Sequence, residues 1–440
     1  MNPLRHGVAP KMKPISAKRS HIVAALDIGT SKIACLIARL KPHASHEVLR
    51  QRSHSVELVG IGHTRARGIK AGTVIDLREA EEAVRQAVAA AERMAGVELD
   101  SVVVSVSAGR ISSELFAATV HVAGPTVNAG DIGRVLAAGT RHSLSEGRVV
   151  LHSLPIGYAI DDTRGVRDPR GMLARKVGVD MHVVTADAAA LRNLMLAVEH
   201  CHLGVGAMVA SPYVSGLAVL ADDEAELGAA VVDMGAGTTT IAVFSAGHFV
   251  HADGFAVGGH HVTMDLARGL AASLPDAERI KTLHGSVLSG PSDERELVSV
   301  PSVGSDEREP PHIVSRASLI GIVKPRVEEI LEMVRDRLNA SPFAADPRGR
   351  VILTGGASQL TGLPELAARM FGRQVRVGRP LGLTGLPEAA KGPAFAAAAG
   401  LLIYPQLAFL EHFEPRRTRH LMTGTDGYFT RVGRWLKESL

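Results

Sequence analysis

Two acidic, glycine-rich loops hold the residues best suited to chemistry. One is Asp27-Ile28-Gly29-Thr30-Ser31-Lys32; the other is Asp233-Met234-Gly235-Ala236-Gly237-Thr238-Thr239. The small residues Gly29, Gly235 and Gly237 let backbone N–H groups close around phosphate oxygens. The hydroxyls of Thr30, Ser31, Thr238 and Thr239 add donors. Asp27 and Asp233 stand where each can hold Mg²⁺ through water. Lys32 can reach either a phosphate or solvent.

Two further groups complete the set. The apolar run Val351 to Thr354 ends in Gly355-Gly356-Ala357-Ser358, where a Gly-Gly turn brings backbone close to a flat ligand without a Cβ clash. Glu278 and Lys281 are three apart in Ala277-Glu278-Arg279-Ile280-Lys281 and so share a helix face. That pair suits the grip on a ribose and the flank of a base.

The elements that must position these residues follow from the apolar pattern. Each loop lies between two β-type runs, Val23 to Leu26 and Ile33 to Ala38, then Ala229 to Val232 and Ile241 to Phe244. Each reads as strand, tight turn, strand, and two such hairpins imply an α/β protein whose two lobes face one nucleotide. Val56 to Ile61 and Ser101 to Val106 read as strands. Ala83, Val84, Ala87, Val88 and Ala91 form the apolar face of a helix over Glu79 to Ala95. Residues 109–186 change character, with alternating segments and one helix, Ala129 to Ala138, and read as a small α/β insertion. A helix over Asp187 to His200 and a connecting segment, Val209 to Leu220, lead to the second loop. A helix over His261 to Leu270 and a polar stretch from His284 to His312 follow. A long helix over Ser318 to Asn339 comes next, with a kink or late start expected at Pro325. Leu363 to Phe371 and Pro393 to Leu402 read as the last core helices.

Composition narrows the options. At 440 residues with 46% hydrophobic content, the chain should form two or more cored domains. The 3% aromatic content gives no stacking platform for nucleic acid, and a net charge of +4 marks no general polyanion binder. Cys35 and Cys201 read as free thiols in a reducing compartment. No apolar run is long enough to span a bilayer. Asp27 interrupts the run after the basic start, so no signal peptide is indicated. Residues 1–20 read as a disordered basic extension. His260-His261 and Cys201-His202 lack partners at metal-ligand spacing.

The end of the chain differs from the rest. Residues 413–427 are polar and without periodicity, a linker. In 428–440, Phe429, Val432, Trp435, Leu436 and Leu440 recur at helical spacing, flanked by Arg431, Arg434 and Lys437. This is the pattern of a helix lying in a membrane interface, drawn to anionic lipid. Burying its large apolar side chains gains on the order of 10 kcal/mol. Ordering the segment costs roughly 1 kcal/mol per residue. One copy would bind marginally, and stable attachment needs many copies in one assembly.

The ordered motifs resemble the ATPase superfamily of actin, the heat-shock chaperones and the sugar kinases. Within it, residues 21–440 resemble the FtsA family of bacterial cell-division actin homologues. The more specific features are the insertion beginning near Gly109, the segment Asp276 to Gly285, the run Pro325 to Leu331, and the amphipathic end. The resemblance implies a two-lobed actin-like ATPase fold binding ATP and Mg²⁺. It divides the chain into a lobe 1 core (21–108 and 187–220), the inserted subdomain (109–186), a lobe 2 core (221–253 and 331–412) and a smaller subdomain (254–330). It further implies a filament peripheral to the cytoplasmic face of the inner membrane, at the division septum. There such a filament tethers FtsZ and recruits later division proteins.

In that family the smaller subdomain takes the C-terminal peptide of FtsZ, and Arg316, Lys324 and Arg326 are candidate contacts for an acidic peptide. Chaperone-type relatives place a Glu before Pro in the connecting segment, where this chain has Ser211 before Pro212. Actin uses a Gln shortly upstream, where Ala207 and Met208 stand. A Ser is no comparable base, so ATP binding with slow or absent hydrolysis is expected. The alternative is a sugar-type kinase of the same fold, for which the tail would have no role. A chaperone ATPase would need a substrate-binding β domain after the lobes. A pilus-assembly actin homologue would share the fold but not the tail.

Overall fold

The computed structural model describes residues 8–43, 52–140, 145–161, 163–301 and 311–411. The expected linker (413–427) and amphipathic helix (428–440) lie outside the described residues. Among those described, no helix is long and apolar enough to cross a membrane.

The first hairpin pairs β1 (His21–Ile28) with β2 (Lys32–Pro42), with Ile28 opposite Ile33 and the Gly29 N–H donating to the Lys32 carbonyl at 3.0 Å. β3 (His54–Arg65) continues the sheet, and a short ribbon, β4 (Ile69–Lys70) and β5 (Thr73–Val74), leads into α1 (Leu77–Ala95). β6 (Ser101–Val106) then pairs parallel with β1. The low aromatic content has a direct consequence here. The face of α1 is Ala and Val, and it sits so close to β3 that a Cβ at Gly62 would stand 2.0 Å from the Ala87 carbonyl oxygen. Small residues replace bulky ones, and the layers close up to keep interior density.

The insertion comprises β7 (Ser112–His121), α2 (Ala129–Gly139), β8 (Arg148–Ile160), β9 (Thr163–Val166) and β10 (Lys176–Asp187). It has its own core around Val135, Val177, Val179 and Met181. Asn128 and Asp131 form a capping box at the start of α2. The chain returns to lobe 1 through α3 (Ala188–Glu199) and β11 (Gly204–Ala210), crosses on α4 (Ser211–Val219), and reaches lobe 2 after α5 (Asp222–Leu227).

Lobe 2 repeats the hairpin with β12 (Ala229–Met234) and β13 (Thr239–Ser245), extended by β14 (His248–Phe255). α6 (Gly259–Gly269) and α7 (Leu274–His284) follow. The stretch read as polar holds a strand, β15 (Leu297–Val300), which pairs with β16 (His312–Ser315) at its end. α8 (Arg316–Asn339) starts earlier than expected and runs through Pro325 as one helix. β17 (Arg350–Thr354) pairs parallel with β12, and α9 (Leu363–Phe371) leads to β18 (Val375–Val377).

Among the described residues the order is β11-β6-β1-β2-β3-β19 in one sheet and β18-β17-β12-β13-β14-β7-β10-β8-β9 in the other. The insertion therefore continues the lobe 2 sheet, through one bridge, Asp253 to Ser112.

Two parts of the expected layout change. β19 (Leu383–Thr384) pairs with β3, and α10 (Ala396–Ile403) packs on α4 and β1, so the end of the region assigned to the lobe 2 core belongs with lobe 1. The crossing is close because Gly400 has no side chain: a Cβ there would stand 1.8 Å from the Val214 carbonyl oxygen. Residues 8–20, expected as a disordered extension, run along lobe 1, with Ala9 buried and Met12 and Ile15 packed on its core.

Candidate functional site

Both hairpin turns open into one cavity of about 570 Å³ between the lobes. Asp27, Gly29, Thr30, Ser31 and Lys32 line it from lobe 1. Asp233, Gly235 and Thr238 line it from lobe 2, with Glu278, Lys281, Gly355, Gly356 and Ala357. Residues as distant in sequence as Asp27 and Ala357 are thus brought to one space.

Glycines set how closely the loops approach. Gly259 N–H donates to the Gly235 carbonyl at 2.9 Å, and a Cβ at Gly258 would meet that oxygen at 2.5 Å. Gly237 does not face the cavity; it packs on Thr30, and a Cβ there would stand 2.5 Å from Thr30 Oγ1. This is where the two turns touch. Thr30 Oγ1 accepts from the Gly72 N–H at 3.1 Å, which leaves its proton free to donate. Thr239, expected as a donor to phosphate, is fully buried, and its hydroxyl donates to the Val257 carbonyl at 2.8 Å. It fixes the loop rather than facing the ligand space.

The acids are half-buried in the cavity wall and held. Burial raises the Asp27 carboxyl, against a hydrogen bond from Ser105 Oγ at 2.6 Å and the charge of Lys32. Burial pushes Asp233 up to about 6, opposed by the Ser215 hydroxyl at 2.5 Å and by Lys32, and reinforced by the charge of Asp27. Burial also brings Lys32 down to about 8, with both acids opposing. Lys32 does not point to solvent. Its ammonium donates to the Ala394 carbonyl at 2.8 Å and lies 3.1 Å from the Phe395 ring centroid. Two desolvated carboxylates of like charge with oxygen donors around them fit a hard divalent cation.

On the opposite wall Lys281 Nζ donates to Glu278 Oε2 (2.7 Å), Thr263 Oγ1 (2.8 Å) and the Gly259 carbonyl (3.1 Å). Burial raises Glu278, but Lys281 and Thr263 outweigh it and hold the carboxyl below its ordinary range. The pair is therefore locked before any ligand arrives.

Sequence reasoning missed Ser105, Ser215, Thr263 and Phe395. Ser105 and Ser215 left a signal, each a hydroxyl inside an otherwise apolar buried run. Ser211 is buried at the start of α4 and lines the cavity.

The three candidate peptide contacts lie elsewhere, on α8. Each already has a carboxylate partner. Arg316 pairs with Glu296 at 2.8 Å and Asp293 at 3.6 Å, Lys324 with Glu328 at 3.8 Å, and Arg326 with Asp265 at 2.6 Å and with Glu329.

The chain matches the family model described as cell division protein FtsA over residues 230–400, and that of the SHS2 domain inserted in FtsA over residues 108–185. It is 53% identical over 430 residues to the cell division protein FtsA of Rhizobium meliloti (strain 1021), covering 98% of this chain and 97% of that one. It is 32% identical over 431 residues to the cell division protein FtsA of Escherichia coli (strain K12), covering 96% and 99%. Among solved structures, the PilM-PilN type IV pilus biogenesis complex superposes with a TM-score of 0.59 at 16% identity, covering 87% of this chain and 98% of that one. MreB5 of Spiroplasma citri bound to ADP gives 0.52 at 13% identity, covering 88% and 97%. These structural likenesses show an actin-like fold.

Proposed function

The chain belongs to the FtsA family of cell division proteins, and we propose that it is an ATP-binding scaffold that polymerises at the inner membrane, tethers FtsZ to it and helps recruit later division proteins. The cavity carries this reading, because both acidic loops, the Glu278–Lys281 pair and the Gly355–Gly356 turn line one space. Backbone N–H groups of the two turns would take the phosphates, and the hydroxyls of Thr30, Ser31 and Thr238 would add donors. Glu278 would take the ribose and Gly355 to Ala357 the base. Mg²⁺, held by Asp27 and Asp233 through water, would neutralise phosphate charge. An MreB of the same fold has been solved with ADP, which supports a nucleotide here.

The scaffold reading rests on chemistry the site lacks and on the tail. Ser211 stands where a water-positioning acid would be needed, so turnover is slow or absent. Residues 428–440 would lie in anionic lipid, with Trp435 and its apolar neighbours inserted and Arg431, Arg434 and Lys437 at the headgroups. FtsZ would dock by its C-terminal peptide on the smaller subdomain, near Arg316, Lys324 and Arg326. The test is ATP-dependent co-sedimentation with anionic vesicles, full length against a chain ending at Thr425. Pelleting lost only in the truncated chain supports the scaffold. Equal pelleting, or none for either, overturns the membrane anchor and reopens the sugar-kinase alternative.

A further inference from the structure

Residues 8–12 run between two sheet edges that belong to different subdomains. Among the described strands β11 is the last of the lobe 1 sheet, and β9 pairs with β8 only at Tyr158 to Ile160, which leaves the first half of β8 as an edge. Val8 bridges Val150 in parallel, the Ala9 N–H donates to the Val150 carbonyl at 2.9 Å, and the Met208 N–H donates to the Pro10 carbonyl at 3.0 Å. The segment thus hydrogen-bonds to both edges and covers backbone that would otherwise be unpaired.

The next residue connects this segment to the other end of the described chain. Lys11 Nζ stands 2.8 Å from Oε2 of Glu411, whose side chain is 1% exposed. The other oxygen, Oε1, lies 2.8 Å from His152 Nδ1 and accepts from the Tyr404 hydroxyl at 3.2 Å. The Ala210 N–H donates to His152 Nε2 at 2.9 Å, so the ring proton sits on Nδ1 and donates to Glu411. One buried carboxylate therefore joins β8 of the insertion, the residues after α10 and the N-terminal segment. His152 carries the connection to the junction of β11 and α4. Lys11 is the one of these partners that arrives on a segment with no secondary structure of its own. Without it, Glu411 would be a buried charge short of its cation.

We propose that residues 8–12 are a strap whose docking, through Lys11 and Glu411, locks the insertion onto lobe 1 and fixes residues 404–411 in the same cooperative step. Undocking the strap would free the insertion to move and loosen residues 404–411. The inference needs neither nucleotide nor lipid, so it stands or falls apart from the function proposed above.

Hydrogen exchange on the full-length protein tests it, comparing wild type with Lys11→Met and, as control, Lys13→Met at an exposed position. Lys11→Met should raise exchange at least about tenfold together in 148–154, 204–210 and 404–411, with α8 and β17 unchanged; Lys13→Met should change none of them. Lys11→Met combined with Glu411→Gln, which removes both charges, should recover most of the protection. Faster exchange confined to residues 8–12 would overturn the proposal. So would a uniform rise across the protein, or a double variant no better than Lys11→Met.

Discussion

Gly355 stands against Asp233 with no room for a side chain. A Cβ there would lie 2.3 Å from Asp233 Oδ1 and 2.5 Å from the Met234 carbonyl oxygen, at a φ of +83°. The turn of the third motif is thereby seated directly on the acid of the second. Gly355→Ala should cost at least about 3 kcal/mol, from the left-handed backbone and the clash together. It should weaken ATP binding by about tenfold or more, since each 1.4 kcal/mol is a factor of ten. Gly372→Ala is the comparison: its φ is +63° but nothing lies within 4 Å, so about 1 kcal/mol is expected. Denaturant unfolding and nucleotide titration of both variants measure the difference. Equal costs would mean that the contact with Asp233 is unimportant.

Asp233 makes the site pH-dependent. Its carboxyl is raised to about 6, chiefly by burial, from an unfolded value of about 3.9. A raised acid binds more protons folded than unfolded, so its penalty to the empty protein is absent below the unfolded value and complete above about 6. In the function proposed above, Mg–ATP needs the carboxylate. Affinity should therefore fall as pH drops through 6, by up to about tenfold per unit, with protons released on binding near that pH. Calorimetry in two buffers of different ionisation enthalpy reads the release, and Asp233→Asn should abolish its share. A flat profile from pH 7 to 5 would sink the assignment.

Thr30 and Gly237 join the two hairpin turns. Gly237 has no left-handed φ, so an added Cβ is strained by contact rather than by backbone, and it meets Thr30 first, at 2.5 Å from Oγ1 and 2.8 Å from Cγ2. Gly237→Ala should destabilise by about 1–3 kcal/mol. Thr30→Ala in the same chain should recover about 1 kcal/mol relative to additivity. A double-mutant cycle from urea unfolding gives the coupling; simple additivity would show that the turns do not press on each other.

The cations of α8 are paired, and this shapes what an acidic peptide could gain. Glu296→Gln would leave Arg316 with Asp293 as its carboxylate partner among the described residues. Exposed pairs contribute up to about 1 kcal/mol, so if α8 takes the FtsZ C-terminal peptide as proposed above, its binding should tighten up to about fivefold. Arg316→Ala should weaken it by a similar factor. Fluorescence anisotropy with a labelled peptide would show both, and no change in either variant would remove Arg316 from the contact.

The motifs were legible because each is local. A strand, a small-residue turn and a strand leave their mark within about a dozen residues, and Asp27, Gly29, Asp233 and Gly235, which the structure brings to one cavity, were candidates from that alone. α1 and α9 were legible for the same reason, an apolar face at helical spacing. Thr239 was misread because a strand alternates its faces, and the turn geometry decides which hydroxyl looks into the cavity. The strap was missed because it has no periodicity; its order comes from two foreign sheet edges and one buried carboxylate.

The sequence by itself determined the local chemistry: acidic turns between apolar strands, a Glu and Lys on one helix face, and an amphipathic end. Only the tertiary structure decided which partners those groups meet. Ser105 reaches Asp27 across 78 residues, Lys32 reaches Ala394 across 362, and His152 reaches Glu411 across 259. Local spacing fixes backbone shape through sterics and apolar periodicity. Contacts between distant segments are fixed by how the layers close, here by glycines and alanines that let α4, α10 and the two hairpins approach to backbone distance.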